Sequence, residues 1–384
     1  MKKPLSIYIH IPFCERKCAY CDFVSFDNKS HLIDEYVNAL CKEILSFISV
    51  TPNQANSGRV PMRPVVSSVF IGGGTPSLLE AAQISKIFEA LRQKFIISST
   101  AEITIEANPN SITKEKLAYW LKSSINRLSI GVQSFDDSVL KTLGRIHTVS
   151  QAVDAIKLGH SAGFSNINID LIHSVPVVNS NLVSRSQNMS ALEEILPLVT
   201  HVSAYSLIIE PGTPFNIHKP VDDAVSLSEQ KEIEKVLTSN GFAQYEVSAF
   251  ARPGFKCRHN QAYWQPQKCE YIGFGLSAHS LYNNQRFANT AYFDIYLSDS
   301  FRTEKPHTRA SSEIAAEIVM LGLRTKKGVA LNDLLSCGFD ILKEKHSEIE
   351  LLLKAKLIKF SKNRVYTTKK GFLLLNRIIE KLAP

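Results

Sequence analysis

The sequence predicts an α/β protein with a parallel sheet at its centre and an α+β domain at its C-terminal end. Three observations carry that expectation. From the start to about Ala204, short apolar runs rich in β-branched residues alternate with longer segments whose apolar residues recur at helical spacing. The rhythm breaks at the turn-rich Glu210–Pro214, and from about Cys257 the composition becomes aromatic and histidine-rich. The chain has 384 residues, 44% of them hydrophobic, enough for more than one core. We therefore expect a β/α core over residues 1–240 and a second domain over 241–384.

Taken in order, Leu5–Ile11, Val65–Ile71, Glu102–Ala107, Arg127–Ile130, Ile167–Ile172 and His201–Ser206 read as strands. Between them, Leu32–Phe47, Leu79–Phe95, Lys114–Lys122, Val149–Ala162 and Met189–Leu196 read as helices. Parallel strands need such crossovers, and their helices cover the sheet from outside. Six units of this kind make an incomplete barrel or a strongly curved open sheet, and the pattern alone does not decide its closure. The polar segment Thr51–Pro64 reads as a surface loop. Further helices are expected over Val225–Ser239 and Ser311–Arg324, and the C-terminal stretch reads as helix, polar turn, short strand and helix, similar to a small winged-helix arrangement.

The chain carries 44 basic and 36 acidic residues, a formal charge of +8. That favours anionic partners, although the basic residues are scattered and thicken only towards the end, from Lys343 to Lys369. No apolar run is long enough to cross a bilayer, and Glu15, Arg16 and Lys17 arrive before a signal-peptide cleavage region could form. A cytoplasmic protein is expected, able to visit the inner face of a membrane. No nucleic acid is expected, and the sequence does not set an oligomeric state.

The seven cysteines are an odd number, and Cys14, Cys18 and Cys21 fall within eight residues, which is a poor disulfide framework. Three thiols at i, i+4 and i+7 converge only if the intervening residues wrap around one centre, as a loop after a strand allows. Soft thiolates select zinc, Cu(I) or iron–sulfur centres. A structural zinc site asks for a fourth protein ligand, for which His10 and Asp22 lie nearby. Three thiolates on a four-iron cluster leave one iron open to bind a ligand. Unrelated free thiols remain the third alternative.

CxxxCxxC within YIHIPFCERKCAYCDF resembles the radical S-adenosylmethionine (SAM) superfamily, in the branch holding oxygen-independent coproporphyrinogen oxidases and their heme-chaperone relatives. The resemblance implies an incomplete (β/α)6 barrel, a 4Fe–4S cluster on Cys14, Cys18 and Cys21, and SAM chelated by the free iron. It places Tyr8 beside the cluster and makes Gly72–Ser77 the methionine-binding segment, with Gly73, Gly74 and Thr75 as contacts. Read alone, that glycine run is a tight turn after a strand, and it lacks the lysine of a phosphate loop. Glu106, Gln133, Arg145 and Asp170 fall at or just beyond strand ends, where α/β scaffolds present ligands. By the same resemblance Glu106 takes the methionine ammonium, Arg145 its carboxylate, and Gln133 and Asp170 the ribose.

The departures decide between branches. The oxidases continue as CxxxCxxCxC, and Phe23 stands at the position of their last cysteine. Thirteen residues precede Cys14, too few for the oxidases' longer substrate-related arm. HNQAYW at His259–Trp264, followed by EYIGFGLSAHS ending at Ser280, resembles the heme chaperones, with His259 the candidate heme ligand. Cys257 and Cys269 are expected to be packing residues or free thiols, and His279 receives no chemical role. Ser174 and Val175 stand where relatives carry a more flexible, glycine-containing sequence. The expected function is a heme chaperone that binds heme beside a SAM-liganded cluster and passes it to respiratory hemoproteins. The alternative is coproporphyrinogen III dehydrogenation by oxidative decarboxylation, started by an adenosyl radical.

Overall fold

The computed structural model describes residues 3–48, 63–176, 182–302 and 304–384, with backbone alone over 182–188. The expected loop Thr51–Pro64 lies outside the described residues as far as position 62. Six parallel strands form the centre of the sheet in sequence order: β1 (Leu5–Ile11), β2 (Val65–Gly73), β3 (Ile96–Ala107), β4 (Arg127–Gln133), β5 (Ile167–His173) and β6 (His201–Ser206). Their connections carry α1 (Ile33–Ser46), α2 (Ala81–Lys94), α3 (Lys114–Lys122), α4 (Asp137–Thr142), α5 (Val149–Ser161) and α6 (Leu182–Ile195). This is the expected incomplete (β/α)6 barrel.

Burial explains why these residues become strands. In β1, Ile7, Ile9 and Ile11 are fully buried, and so are most of the residues between them. That near-continuous burial is the mark of a parallel sheet covered on both faces, and each such side chain contributes roughly 1.5–3 kcal/mol. The helices start where their sequences supply caps: the Thr113 hydroxyl accepts from the Lys116 amide, and Thr148 with Gln151 forms a capping box.

Residues beyond α7 (Asp223–Ser239) extend both ends of the sheet. On one side β7 (Ala243–Gln244) and β8 (Ala249–Ala251) follow β6, with β8 antiparallel to it. After α8 (Arg258–Tyr263), β9 (Glu270–Phe274) returns to the opposite side and pairs parallel with β1. The strands β10 (His279–Tyr282), β11 (Gln285–Ala288) and β12 (His307–Thr308) continue outward from it, with α9 (Phe293–Leu297) between the last two. Residues 243–308, expected to open the C-terminal domain, thus belong to the twelve-stranded sheet.

A second hydrophobic core runs from Ala315 to Leu382. It begins with α10 (Ser311–Gly322) and surrounds the three-stranded sheet β13 (Val329–Ala330), β14 (Ile358–Ser361) and β15 (Arg364–Thr367), in the order β13–β15–β14. The stretch read as one polar turn and one strand is a hairpin, whose turn residues Lys362 and Asn363 both have positive φ. No helix among the described residues is long and apolar enough to cross a membrane.

Candidate functional site: two cavities on one cysteine loop

The loop after β1 closes on itself. The Cys14 amide donates to the Phe26 carbonyl at 2.9 Å, and the Phe26 amide donates to the Pro12 carbonyl at 2.8 Å. Phe13 anchors the loop, buried edge-on against Tyr36 and Phe293. The segment after β2 is stitched to the same loop: the Gly74 amide donates to the Ile11 carbonyl at 2.8 Å and the Thr75 amide to that of Phe13 at 2.7 Å. Glycine is required here. A Cβ on Gly74 would lie 2.6 Å from the Phe13 carbonyl oxygen, and Gly73 has φ +112° with its missing Cβ 2.6 Å from the His10 ring.

Cys14, Cys18 and Cys21 line a cavity of about 490 Å3 with Gly73, Gly74, Thr75, Glu106, Gln133, Arg145 and Asp170. It opens at the carboxyl ends of β1 to β6, the end at which such sheets present ligands. Burial pushes the Cys14 and Cys21 thiols up from their ordinary range. Thr75 and Ser25, and then the Arg145 charge, offset this at Cys14, and Arg145 Nη1 donates to Cys18 Sγ at 3.3 Å. Its Nη2 donates to Asn108 Oδ1 at 2.6 Å and to the Gly131 carbonyl at 3.0 Å, while its Nε is buried with no partner among the described residues.

The acids of this cavity are held by hydrogen-bond donors on the protein. Glu106 accepts the Gly73 amide at 3.0 Å, and burial, then the nearby Asp170, pushes its carboxyl up to about 8. Asp170, also raised by burial, accepts from Asn168 at 2.9 Å and from the Ser129 hydroxyl at 3.3 Å. Two carboxyls kept above their usual range fit a ligand bearing an ammonium and hydroxyls. Gln133 ends β4 with φ +67°, a left-handed conformation unfavourable for a residue with a Cβ and frequent at ligand sites. Ser174 does the same after β5 at φ +62°, pinned by its amide to Glu229 at 2.7 Å and its hydroxyl to Ser226 at 2.7 Å. The serine adopts the turn for which a glycine was expected.

No three histidine, cysteine or carboxylate side chains among the described residues group around a single metal ion. A cubane takes its three thiolates on three different irons, and Cys14, Cys18 and Cys21, all lining this cavity, supply that donor set.

Tyr8 and His259 lie elsewhere. Tyr8 lines a neighbouring cavity of about 350 Å3, which shares Asp22 and Phe23 with the first. Its hydroxyl bonds His10 Nδ1 at 3.0 Å, and His10 Nε2 bonds the Val24 carbonyl at 2.8 Å. A carbonyl only accepts, so Nε2 carries the proton and Nδ1 accepts from Tyr8. Burial lowers His10 to about 4, keeping it neutral.

His259 is buried on α8 beneath this cavity. Glu102 on β3 holds the start of that helix, accepting the Arg258 amide at 2.9 Å, the His259 amide at 3.2 Å and the Cys257 thiol at 3.4 Å. The His259 ring stacks on Phe70 at 5.1 Å, with Nδ1 3.3 Å from Ser68 Oγ and Nε2 2.9 Å from the Tyr263 hydroxyl. Ser68 gives its own proton to Ser6 at 2.8 Å, so His259 Nδ1 donates and Nε2 accepts from Tyr263. Burial, then the Arg127 charge, lowers His259 to about 3. Sequence reasoning missed the supports: Asn108, two positions beyond Glu106 in the same motif, and Glu102, whose partners lie 155 to 157 residues away.

The parallel β/α half-barrel, three cysteines after its first strand and a glycine segment joined to that loop define a radical SAM protein. The model of the Radical SAM superfamily matches residues 8–183, and the fold carries that family's site for SAM and a 4Fe–4S cluster. The chain belongs more narrowly to the HemW heme-chaperone family. It is 34% identical to the heme chaperone HemW of Lactococcus lactis, over 99% of this chain and 98% of that one. It is 32% identical to that of Bacillus subtilis, over 97% of each, and 38% identical to that of Escherichia coli, over 72% of this chain and 70% of the other. The solved coproporphyrinogen III oxidase of Escherichia coli shares the fold, with a TM-score of 0.82 at 23% identity, covering 100% of this chain and 90% of the oxidase.

Proposed function

We propose that this protein binds heme next to its SAM and cluster site and delivers it to hemoproteins of the respiratory chain. The observation that carries the reading is Phe23. Where the oxidases place a further cysteine, this chain presents an aromatic ring, 66% exposed, on the wall shared by the two cavities. Full-length similarity to heme chaperones supports it.

Cys14, Cys18 and Cys21 would hold the cluster, with Glu106, Arg145, Gln133 and Asp170 receiving SAM. Bound there, a cluster supplies the electron for reductive cleavage of SAM. The chain's own part is to hold the walls in place: the Gly73 amide fixes Glu106, and the Gly74 amide joins the glycine segment to the cysteine loop. Heme would lie on the other side of Phe23, near the HNQAYW helix, with the sequence's candidate ligand His259 beneath it. Delivery at the inner face of the cytoplasmic membrane agrees with the basic charge of +8 and with the lysines that thicken the C-terminal domain.

The test is a hemin titration of anaerobically prepared protein, followed by transfer to a heme-free recipient. Saturable binding with recovery of recipient activity is the expected result. Conversion of coproporphyrinogen to protoporphyrinogen with release of 5′-deoxyadenosine, and no saturable hemin binding, would replace the reading with the dehydrogenase.

A further inference from the structure

We infer that the heme iron is ligated by His279 in the smaller cavity, and that His259 is a positioning residue beneath it. The inference rests on the heme-binding reading above and names the side chain that would carry it.

Three histidines surround this part of the molecule, and their ring nitrogens differ in availability. His10 spends both on Tyr8 and on the Val24 carbonyl. His259 spends both on Ser68 and Tyr263 and is 1% exposed. Iron could reach its Nε2 only by evicting the Tyr263 hydroxyl from a closed core. His279 lines the cavity, is exposed, and neither ring nitrogen makes a hydrogen bond among the described residues. An iron ligand needs a free lone pair, and here His279 offers one.

The cavity around it suits a flat aromatic ligand. Phe23, Tyr263 and Tyr271 all line it, the two tyrosines edge to face at 4.6 Å. At about 350 Å3 it is at the small end of ligand pockets and too small to enclose a whole tetrapyrrole. Part of the ring must stay outside, which suits a ligand that is handed on.

His279 also stands on a rigid base. The Gly275 amide donates to Glu43 at 2.8 Å, the Leu276 amide to the Tyr36 hydroxyl at 2.9 Å, and that hydroxyl donates to the His10 carbonyl at 2.8 Å. The strand bearing His279 is thus tied to the strand that leads into the cysteine loop, and a ligand on His279 would rest against that loop through Phe23. On this account His259 holds the Tyr263 phenol at the cavity wall by the 2.9 Å bond.

The experiment is a titration of the full-length, cluster-containing protein with hemin, read by absorbance and magnetic circular dichroism. His279→Ala, at an exposed site, should weaken binding about tenfold or more, lose the histidine-ligation signature, and recover it with added imidazole. Tyr263→Phe, which frees His259 Nε2 while leaving the core filled, should keep the wild-type ligation signature. Phe23→Ala should weaken binding without changing that signature. A His279→Ala protein with the wild-type signature would overturn the assignment, as would tighter, altered ligation in Tyr263→Phe. If the wild-type protein binds no hemin, the heme reading itself fails and the assignment falls with it.

Discussion

The two cavities meet at Asp22 and Phe23 and are built on different principles. The larger is lined by charged side chains, and Glu106, Arg145 and Asp170 are each already held by a hydrogen-bond partner on the protein. The smaller is lined by Tyr8, Phe23, Tyr263 and Tyr271 together with His279, whose ring nitrogens make no hydrogen bond among the described residues. The first is suited to holding a cofactor in one pose, the second to holding a ligand that must leave. That contrast puts two chemically different sites on one cysteine loop, with Phe23 on the wall between them.

The largest expected effect separates the two sites completely. Cys18→Ser should abolish the cluster, seen as loss of its absorbance and iron content, while hemin binding to the smaller cavity persists. Equal loss of both would break the comparison.

Next comes the base under His279. Glu43 is 4% exposed and accepts from Gly275, Asn289 and the Tyr296 hydroxyl, and burial raises its carboxyl from 4.5 to about 7. A raised folded-state pKa means that the native protein binds more protons than the unfolded chain. The stability this contributes is complete below 4.5 and is lost as pH rises through about 7. The full swing is about 3 kcal/mol by the conversion of pKa shift to free energy. Urea unfolding at several pH values should show that slope in the wild type and its absence in Glu43→Gln.

The smallest effect belongs to a single contact in the charged cradle. Glu106→Gln should weaken SAM binding by roughly tenfold, the worth of one charge-assisted hydrogen bond near 1.5 kcal/mol, measured by calorimetry under anaerobic conditions. Hemin affinity should not move.

Much of the fold was legible because parallel strands buried on both faces advertise themselves locally. The bounds read for Leu5–Ile11 and His201–Ser206 coincide with β1 and β6. What local pattern hid was non-local or strained. The pairing of β9 with β1 joins residues 270–274 to residues 5–9, and nothing in either segment announces the other. The C-terminal hairpin turns at Lys362–Asn363 with no glycine to mark it, and the short α4 lies in a stretch with no long apolar period. β3 begins at Ile96, ahead of the expected Glu102: polar Ser98, Ser99 and Thr100 interrupt its apolar pattern, so the first half of the strand does not read as one.

The site divides in the same way. Residues carried by motifs at strand ends, from the cysteines to Asp170, line one cavity. Tyr8 points to the other because its neighbour relations are set by Phe70 and His259, which only the assembled sheet supplies. His259 stood out as a histidine among aromatics, but sequence carries no record of hydrogen bonding. Its two occupied nitrogens, and those of His279 that find no partner among the described residues, become visible only when β9 and β10 are in place.

Heme transfer is the central claim, and its most direct measurement follows heme from the loaded protein to heme-free respiratory membranes, with coproporphyrinogen turnover assayed on the same preparation. The account predicts recovery of respiratory hemoprotein activity without formation of protoporphyrinogen. No transfer, together with protoporphyrinogen and stoichiometric 5′-deoxyadenosine, would contradict it.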